Sequence, residues 1–243
     1  MRCCLVNDYT YLKNVLNNWN FTLTDSQYEQ LDLFYNLLIE KNKVMNLTAI
    51  TEFDEVVVKH FADSLSICKV LPKDINTVCD LGTGAGFPGI PMAIAYPNLQ
   101  FTLIDSLNKR IKFLQEVVDA LGLTNVTLIH ARAEEAGRNK LYREHFDLVV
   151  SRAVANISTL SEYCLPLVNI GGYFISFKSG NISEEITAAG SAINKLGGHM
   201  NEPVYFELPE TDISRSFLII NKEKKTPKSY PRKAGTPSKE PLT

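Results

Sequence analysis

Five short apolar runs recur along the middle of the chain, and their spacing constrains the fold more than any other feature of the sequence. Each run is continuous rather than alternating, which is typical of strands that are buried on both faces of a sheet. Helical patterns lie between the runs; over 110–121, for example, Ile111, Leu114, Val118 and Leu121 share one face. Regular alternation of strands and helices predicts a mostly parallel sheet with helices on both faces. The five predicted strands are 77–81, 101–105, 126–130, 146–151 and 173–177.

The residues before the first run predict a helical architecture. Over 24–45, Thr24 and Gln27 have the spacing of a capping box, and apolar residues then recur at helical spacing. A second helix is predicted over about 54–70. The chain is therefore expected to consist of three units. They are an N-terminal helical cap (1–72), an α/β core (73–221) and a basic C-terminal tail (222–243).

Two further apolar runs, 204–208 and 216–220, stand at the end of the predicted core. They predict an antiparallel hairpin and bring the number of predicted strands to seven. The tail carries seven lysine and arginine residues against two glutamates, together with four prolines. It is predicted to be extended and poor in core residues. Two interpretations stay open for it: a solvated terminus, or an arm that binds phosphates through Lys228, Arg232 and Lys233.

Composition limits the classes of function. The formal net charge of −2 excludes a globally basic nucleic-acid binder, so any RNA contact has to come from a local basic patch. No apolar run approaches the ~18 residues of a membrane helix, and the start, MRCCLV, is too short an apolar region for a signal peptide. The cysteines are odd in number and lack C-x-x-C spacing, which predicts a cytoplasmic protein without metal or disulfides. They are Cys3, Cys4, Cys68, Cys79 and Cys164, and Cys79 is expected to be buried.

The sharpest local signal is the glycine-rich stretch 80–89, DLGTGAGFPG, which follows a predicted strand and opens a helical pattern. Gly82, Gly84 and Gly86 permit a tight turn and a close approach of the backbone to a ligand. The spacing is G-x-G-x-G, whereas the dinucleotide fingerprint is G-x-G-x-x-G. Asp80 would be unfavourable beside a pyrophosphate but can face the cationic ammonium group of S-adenosylmethionine. The loop therefore favours a methyl donor over a nicotinamide cofactor, and either of them over a purely structural turn.

Polar residues also follow the next three predicted strands, where the ligand crevice of such a sheet is expected. Asp105 stands at the interval of a ribose-binding acid, and we favour that role, although Asp105 and Ser106 can also cap the helix that follows. Ala133 and Glu134 can offer backbone groups and an acid to an adenine, or can simply begin a capped helix. Arg152 either contacts a ligand or forms a salt bridge with a neighbouring acid.

Taken together, these stretches resemble the RsmG family, also called glucose-inhibited division protein B, whose members are bacterial methyltransferases that act on guanine N7 of small-subunit ribosomal RNA. The resemblance covers nearly the whole chain after residue 45, and the earlier residues match less distinctively. The matching stretches are 46–50, 60–65, 80–91, 103–114, 130–135, 151–155, 171–178 and 230–242.

The resemblance implies a class I (Rossmann-like) methyltransferase fold, with a seven-stranded, mostly parallel sheet and the N-terminal helical cap. It implies S-adenosyl-L-methionine as the cofactor and 16S ribosomal RNA or the small ribosomal subunit as the partner of a monomeric enzyme. Asp105, Ser106 and Leu107 match a stretch that also borders the cofactor. Direct cofactor contacts are implied for Gly82, Phe87, Ala133, Glu134 and Arg152.

Methylation of guanine N7 requires no catalytic base, because N7 carries a lone pair and no proton; we therefore nominate no catalytic residue. His60 and Asp63 can share a helix face, and we interpret them as structural or RNA-contacting. Arg152 cannot grip O6 and N7 together, since that would occupy the attacking lone pair. It should contact the cofactor, O6 alone or a phosphate. Lys178 is either a contact beside the target base or a solvated lysine at a strand end.

Two other classes of function stay open from the residues alone. One is a nicotinamide-dependent oxidoreductase, which would bind NAD rather than S-adenosylhomocysteine. The other is a non-catalytic RNA-binding module with a vestigial pocket, against which the intact glycine loop and Asp105 argue.

Overall fold

An eight-stranded sheet forms the centre of the computed structural model, which describes residues 7–152 and 155–243. All five predicted strands are present and parallel to one another, as the alternating pattern predicted. The strands are β1 Thr77–Leu81, β2 Gln100–Asp105, β3 Val126–His130, β4 Phe146–Ser151, β5 Val168–Ser179, β6 Gly198–Met200, β7 Val204–Glu207 and β8 Ser214–Lys222.

The strand order places the ligand crevice. It runs β3-β2-β1-β4-β5-β8-β6, with β7 paired to β8. The chain thus adds β2 and β3 on one side of β1, and then returns to add β4 and β5 on the other side. In open α/β sheets this switch point, outside the carboxyl ends of the strands, is where ligands bind. The ends of β1 and β4 therefore define the place to look for a site.

The predicted hairpin is confirmed, because β7 and β8 pair antiparallel with Val204 opposite Phe217. Strand β8 also pairs antiparallel with β5. The sheet has one strand more than the seven predicted. The additional strand, β6, has three residues and begins with Gly198, so it is too short to show a pattern in the sequence.

The predicted N-terminal helix is confirmed as α2, Asp25–Met45, with the capping box formed by Thr24 and Gln27. The predicted helix over 54–70 is a continuous helical segment of mixed type. It consists of α3 (Phe53–Val56), a π-helical turn over Val57–Ala62, α4 (Asp63–Leu65) and a 3-10 turn over Ser66–Lys69. Short π-helical turns are frequent at functional sites. The helices are α1 Thr10–Asn18, α2 Asp25–Met45, α3 Phe53–Val56, α4 Asp63–Leu65, α5 Gly89–Ala95, α6 Asn108–Leu121, α7 Ala133–Arg138, α8 Ile157–Cys164, α9 Ser183–Lys195 and α10 Thr236–Lys239.

Apolar layers cover both faces of the sheet. Neighbouring strand residues alternate between them: Val78 packs in the layer that includes α1, α2 and α6, whereas Cys79 packs in the layer that includes α8. Cys79 is fully buried, as predicted. Cys3, Cys4 and the start of the chain lie outside the described residues, as do positions 153–154 of one matching stretch. No helix in the described part of the chain is long and apolar enough to cross a membrane.

The tail is folded against the core, which differs from the extended segment expected from its composition. Thr226, Pro231 and Pro237 are buried. The guanidinium of Arg143 donates hydrogen bonds to the carbonyl oxygens of Thr226 and Tyr230, at 2.7 and 2.9 Å. These partners are 83 and 87 residues apart in the sequence, so no local pattern announces them.

Candidate active site

The glycine loop follows β1 and keeps open space at its tip. Gly82, Gly84 and Gly86 all have positive φ, at 76°, 63° and 102°. A Cβ at Gly82 would meet no other described atom within 4 Å, and one at Gly84 would meet only the Gly82 carbonyl oxygen at 3.9 Å. At Gly86, by contrast, it would collide with Ile90 at 2.8 Å. Gly86 is thus required for packing, whereas Gly82 and Gly84 leave backbone that a ligand can approach closely.

Asp80 lies beneath this loop as a buried carboxylate with one unused oxygen. Its side chain is completely buried, and Oδ2 accepts a hydrogen bond from the Gly89 N–H at 2.9 Å. Oδ1 is buried and accepts no hydrogen bond from the part of the chain that the structure describes. Burial raises the pKa of Asp80 to about 6. A buried acceptor without a partner is costly, so a donor, and above all a cationic one, would be favourable here.

Asp105 connects the glycine loop to the end of β2. Its Oδ2 accepts from the Gly84 N–H at 2.9 Å, and its Oδ1 accepts from the Leu107 N–H at 2.8 Å, just before α6 begins. The carboxylate also pairs with Arg110 at 3.2 Å. The sequence left ligand binding and helix capping open, and the hydrogen bond to Leu107 shows a local role at the helix start. The Ser106 side chain is exposed beside it.

Ala133 and Glu134 begin α7, at the end of the neighbouring strand β3. Glu134 is buried, and its Oε1 accepts a hydrogen bond from the Gly235 N–H at 2.8 Å. The tail therefore holds this carboxylate at the sheet edge where Asp80 and Asp105 also lie. A ligand at this edge would meet the backbone that begins α7, with the Glu134 side chain fixed behind it.

Arg152 follows β4 and forms a stack with two rings from other elements. Its guanidinium carbon lies 5.2 Å from the centroid of the Phe87 ring, which is a cation–π arrangement. The ring of His60, in the π-helical turn, stacks on Phe87 at 4.4 Å between centroids. Burial, followed by the charge of Arg152, lowers the pKa of His60 to about 4. His60 is therefore neutral at neutral pH and packs as a ring rather than as a cation.

Asp63 joins two arginines from distant parts of the chain. Its Oδ2 pairs with Arg152 at 3.1 Å, and its Oδ1 pairs with Arg215 of β8 at 2.7 Å. Arg152 also donates to the Lys59 carbonyl oxygen at 3.2 Å. Arg152 thus forms the salt bridge that was one of the two interpretations of the sequence, and it forms it beside the glycine loop.

These groups line a cavity of about 490 Å³ next to the end of β4, which we name the Arg152 cavity. Lys178 reaches it from β5, where its Nζ donates to the Ala155 carbonyl oxygen at 2.8 Å and pairs with Glu185 at 2.7 Å. Its side chain is only 9% exposed, so it is not a freely solvated lysine. Cations outnumber anions around the cavity, which suits a polyanion. The charged residues that line it are Lys59, Asp63, Arg152, Lys178, Glu185 and Arg215.

Sequence reasoning missed Arg215 and Lys59. Arg215 precedes the apolar run of β8, and antiparallel pairing with β5 sets it opposite Ser179, at the cavity. The only signal for it in the sequence is a charge directly before a buried run, which is too common to single out one residue. Lys59 stands one position before His60, in a segment that the sequence predicted as helix without a function.

The basic tail residues lie elsewhere. Lys228 and Lys233 are exposed, and neither they nor Arg232 line the Arg152 cavity. Arg232 forms a two-pronged pair with Glu162, from Nε at 2.9 Å and from Nη2 at 2.7 Å, and the Glu162 side chain is fully buried. Arg232 therefore anchors the tail to α8. Within residues 7–152 and 155–243, no group of three or more His, Cys, Asp or Glu residues is arranged to hold a metal ion.

Comparison with solved structures identifies the fold. The chain superposes on M. jannaschii TYW2 in complex with AdoMet with a TM-score of 0.53 and 14% identity, covering 71% of this chain and 77% of that one. It superposes on a SAM-dependent O-methyltransferase from Thermotoga maritima with a TM-score of 0.51 and 15% identity, covering 78% and 72%. At such identities the similarity is one of fold, the class I methyltransferase fold that was predicted.

Comparison with sequences is more specific. Ribosomal RNA small subunit methyltransferase G of Lachnoclostridium phytofermentans is 54% identical, covering 93% of this chain and 94% of that protein. The protein of the same name from Desulforamulus reducens is 51% identical, covering 98% and 100%. A family model, GidB, described as rRNA small subunit methyltransferase G, matches residues 27–211. With both the family model and near-full-length relatives in agreement, the chain belongs to the GidB family of rRNA small subunit methyltransferases G.

Proposed function

We propose that this protein transfers the methyl group of S-adenosyl-L-methionine to N7 of a guanine in 16S ribosomal RNA. The observation that carries the proposal is the buried, half-satisfied carboxylate of Asp80 beneath an open glycine turn. A pyrophosphate would be repelled there, whereas the ammonium group of the methyl donor supplies both the missing hydrogen bond and a positive charge. Family membership also argues against the oxidoreductase and the non-catalytic RNA-binding module.

The residues around Asp80 fit the rest of the donor. The open backbone at Gly82 and Gly84 leaves room for the ligand, and Arg152 lies over the ring of Phe87, which follows the glycines in the same loop. Oδ2 of Asp105 already accepts from Gly84 and Arg110, but Oδ1 accepts only from Leu107 and keeps a further lone pair for a ribose hydroxyl. The exposed hydroxyl of Ser106 lies beside it.

The adenine is assigned to the start of α7. Ala133 and Glu134 offer backbone groups there, and the second oxygen of Glu134 is free to accept from an amino group while the first holds Gly235. When bound, the donor supplies an activated methyl group on a sulfonium sulfur.

The chain contributes position rather than proton transfer. Guanine N7 needs no base, and His60, with a pKa of about 4, is neutral and packed against Phe87. Arg152 is held by Asp63 and by the Lys59 carbonyl oxygen, so its guanidinium has a fixed direction. Alignment of two reactants can lower a barrier by ~7 kcal/mol or more in favourable cases. We therefore assign no catalytic acid or base.

The target guanine is assigned to the Arg152 cavity. Excess positive charge there attracts the RNA, and Lys178, fixed by Glu185, is the further contact that we propose beside the base. In duplex RNA the N7 edge lies in a deep, narrow groove, so the target has to lie in a loop or irregular region. We also propose that the protein acts as a monomer in the cytoplasm, since one chain builds both the donor site and this cavity. The free thiols of Cys68, Cys79 and Cys164 are compatible with a reducing compartment.

The proposal is tested by replacing the target guanine with 7-deazaguanine in reconstituted small subunits. This analogue lacks the nucleophilic nitrogen and keeps the Watson–Crick edge. Methyl transfer should vanish while RNA binding persists, and the same replacement at a different guanine should leave transfer intact. Transfer at the normal rate to the 7-deaza substrate would show that the methyl group goes to another atom.

A further inference from the structure

A second cavity of about 470 Å³ adjoins the Arg152 cavity, and Arg215 lines both. It lies where β5 ends and where β7 pairs with β8. Asn181, Tyr205 and Glu207 are among the residues that line it. Nothing in the proposed chemistry of the methyl donor or the target guanine uses these three side chains. We name this space the Tyr205 pocket.

Tyr205 presents an aromatic ring that the fold itself uses little. Side chains alternate along β7, and Phe206 is the one that packs on Phe217, at 5.0 Å between ring centroids. Tyr205 points to the other face of the strand and is 49% exposed. Its hydroxyl lies 3.5 Å from Asn181 Oδ1, which favours one position of the ring over the pocket. An exposed and positioned aromatic ring in a pocket that also holds polar groups is a platform for a planar ligand.

We propose that the Tyr205 pocket binds the base of a nucleotide adjacent to the target guanine, stacked on the Tyr205 ring. This inference rests on the proposed function. A guanine whose N7 edge is accessible lies in irregular RNA, so its neighbours lose stacking partners. Aromatic side chains commonly replace those partners when proteins bind unpaired nucleotides. Continuity with the Arg152 cavity gives the RNA backbone a short path between the two bases, past the cationic Arg215.

The polar groups of the pocket favour a particular kind of base. Glu207 is acceptor-only when ionised, and Asn181 offers its amide donor, since its Oδ1 already accepts from Ser183 and Tyr205. Glu207 would repel a phosphate, which places the backbone toward Arg215 and the base edge toward Glu207. A carboxylate accepts readily from an exocyclic amino group. The pocket therefore suits adenine, cytosine or guanine better than uracil, which lacks such a group.

The test compares Tyr205→Ala, Tyr205→Phe and Leu141→Ala. Leu141 is 70% exposed and lies in the loop between α7 and β4, at the amino ends of the parallel strands. It therefore controls for the loss of an exposed apolar side chain away from the pocket. Methylation is measured on small subunits from cells that lack this protein, and affinity for S-adenosylhomocysteine is measured by calorimetry. Tyr205→Ala should raise KM for subunits about 10-fold, the effect of one lost base stack, with kcat and S-adenosylhomocysteine affinity unchanged. Tyr205→Phe keeps the ring and should restore most of the loss.

Two results would overturn the inference: an unchanged KM in Tyr205→Ala, or a loss in Tyr205→Phe as large as in Tyr205→Ala. A photoreactive p-benzoylphenylalanine at position 205 adds a direct readout, since it should cross-link to 16S RNA. Cross-linking to a ribosomal protein instead would show that the pocket has a protein occupant. Failure of the proposed function is distinct from these outcomes, because the unaltered protein would then form no N7-methylguanine.

Discussion

The carboxylate of Asp80 makes the stability of the ligand-free protein depend on pH in a defined direction. Burial raises its pKa from 3.8 to about 6, although the nearby Thr83 hydroxyl and then the Gly89 N–H oppose that rise. A group whose folded-state pKa is raised contributes stability that is fully present below its unfolded pKa and is lost as pH rises through its folded pKa. The rise in pKa from 3.8 to about 6 corresponds to about 3 kcal/mol of stability, which is lost between about pH 4 and pH 7.

Asp80→Asn keeps the acceptor for Gly89 and removes the ionisation. The free energy of unfolding of the variant minus that of the unaltered protein should therefore increase by about 3 kcal/mol from pH 4 to pH 7. Urea unfolding at a series of pH values measures this difference, and other titrating groups cancel in it. A difference that stays constant with pH would refute the argument that burial governs this carboxylate.

Asp147→Asn is the matched control, with the opposite sign. Burial acts to raise the pKa of Asp147, but hydrogen bonds from Asn76, Thr77 and Asn169 outweigh it, and the pKa is lowered. This carboxylate contributes stability above its unfolded pKa, so the corresponding difference should fall as pH rises.

In Asp80→Asn, the gain in stability should be accompanied by about 10-fold or more weaker binding of S-adenosylhomocysteine, since a charge-assisted hydrogen bond to its ammonium group is lost.

Three further predictions concern the donor loop and the tail. Gly84→Val should weaken donor binding in a folded variant, because it sets a branched side chain in the open space at φ 63°, and unchanged affinity by calorimetry would mean that the pocket is misplaced. Arg232→Ala should lower the free energy of unfolding by about 3 kcal/mol, since the buried Glu162 loses its guanidinium partner and keeps only the N–H of residue 232; a shift below about 1 kcal/mol in urea unfolding would argue against the anchor. Replacing Lys228 and Lys233 with alanine should flatten the salt dependence of RNA binding by about one unit per lost phosphate contact on duplex, and an unchanged slope would leave both as solvated residues.

Local features of the sequence predicted the frame of the molecule. The five parallel strands, the capping box of Thr24 and Gln27, and the hairpin of β7 and β8 all depend on residues that are close together in the chain. The glycine loop was predictable for the same reason, since positive φ at Gly82 and Gly84 is a property of the residues themselves. Continuous apolar runs also predicted burial on both faces, which holds for most of β1, β2 and β4, whereas the edge strand β3 is only partly buried.

Features that depend on distant residues were not predictable. Asp63 was visible as an acid near His60, but its two arginines come from β4 and β8, 89 and 152 residues away. The folded tail depends likewise on Arg143 and Glu162, whose importance shows only when the core has brought them to its surface. Composition indicated a basic, proline-rich segment and could not show which of its charges are already paired.

The tail is the clearest case in which a paired charge changes an interpretation. By composition, Arg232 was interpreted as part of a phosphate-binding arm. In the structure its guanidinium pairs instead with the buried Glu162. Three residues later, the Gly235 N–H donates a hydrogen bond to the carboxylate of Glu134. The Arg232–Glu162 pair and the hydrogen bond from Gly235 to Glu134 together hold the start of α7, where we assign the adenine. A reaction without proton transfer depends on how the donor and the guanine are placed. In the proposed site, Asp63, Arg232 and Glu134 each hold a neighbouring group in place. Arg232 is therefore better explained as a brace for the donor site, whereas five lysines of the tail, Lys224, Lys225, Lys228, Lys233 and Lys239, stay exposed and can meet RNA.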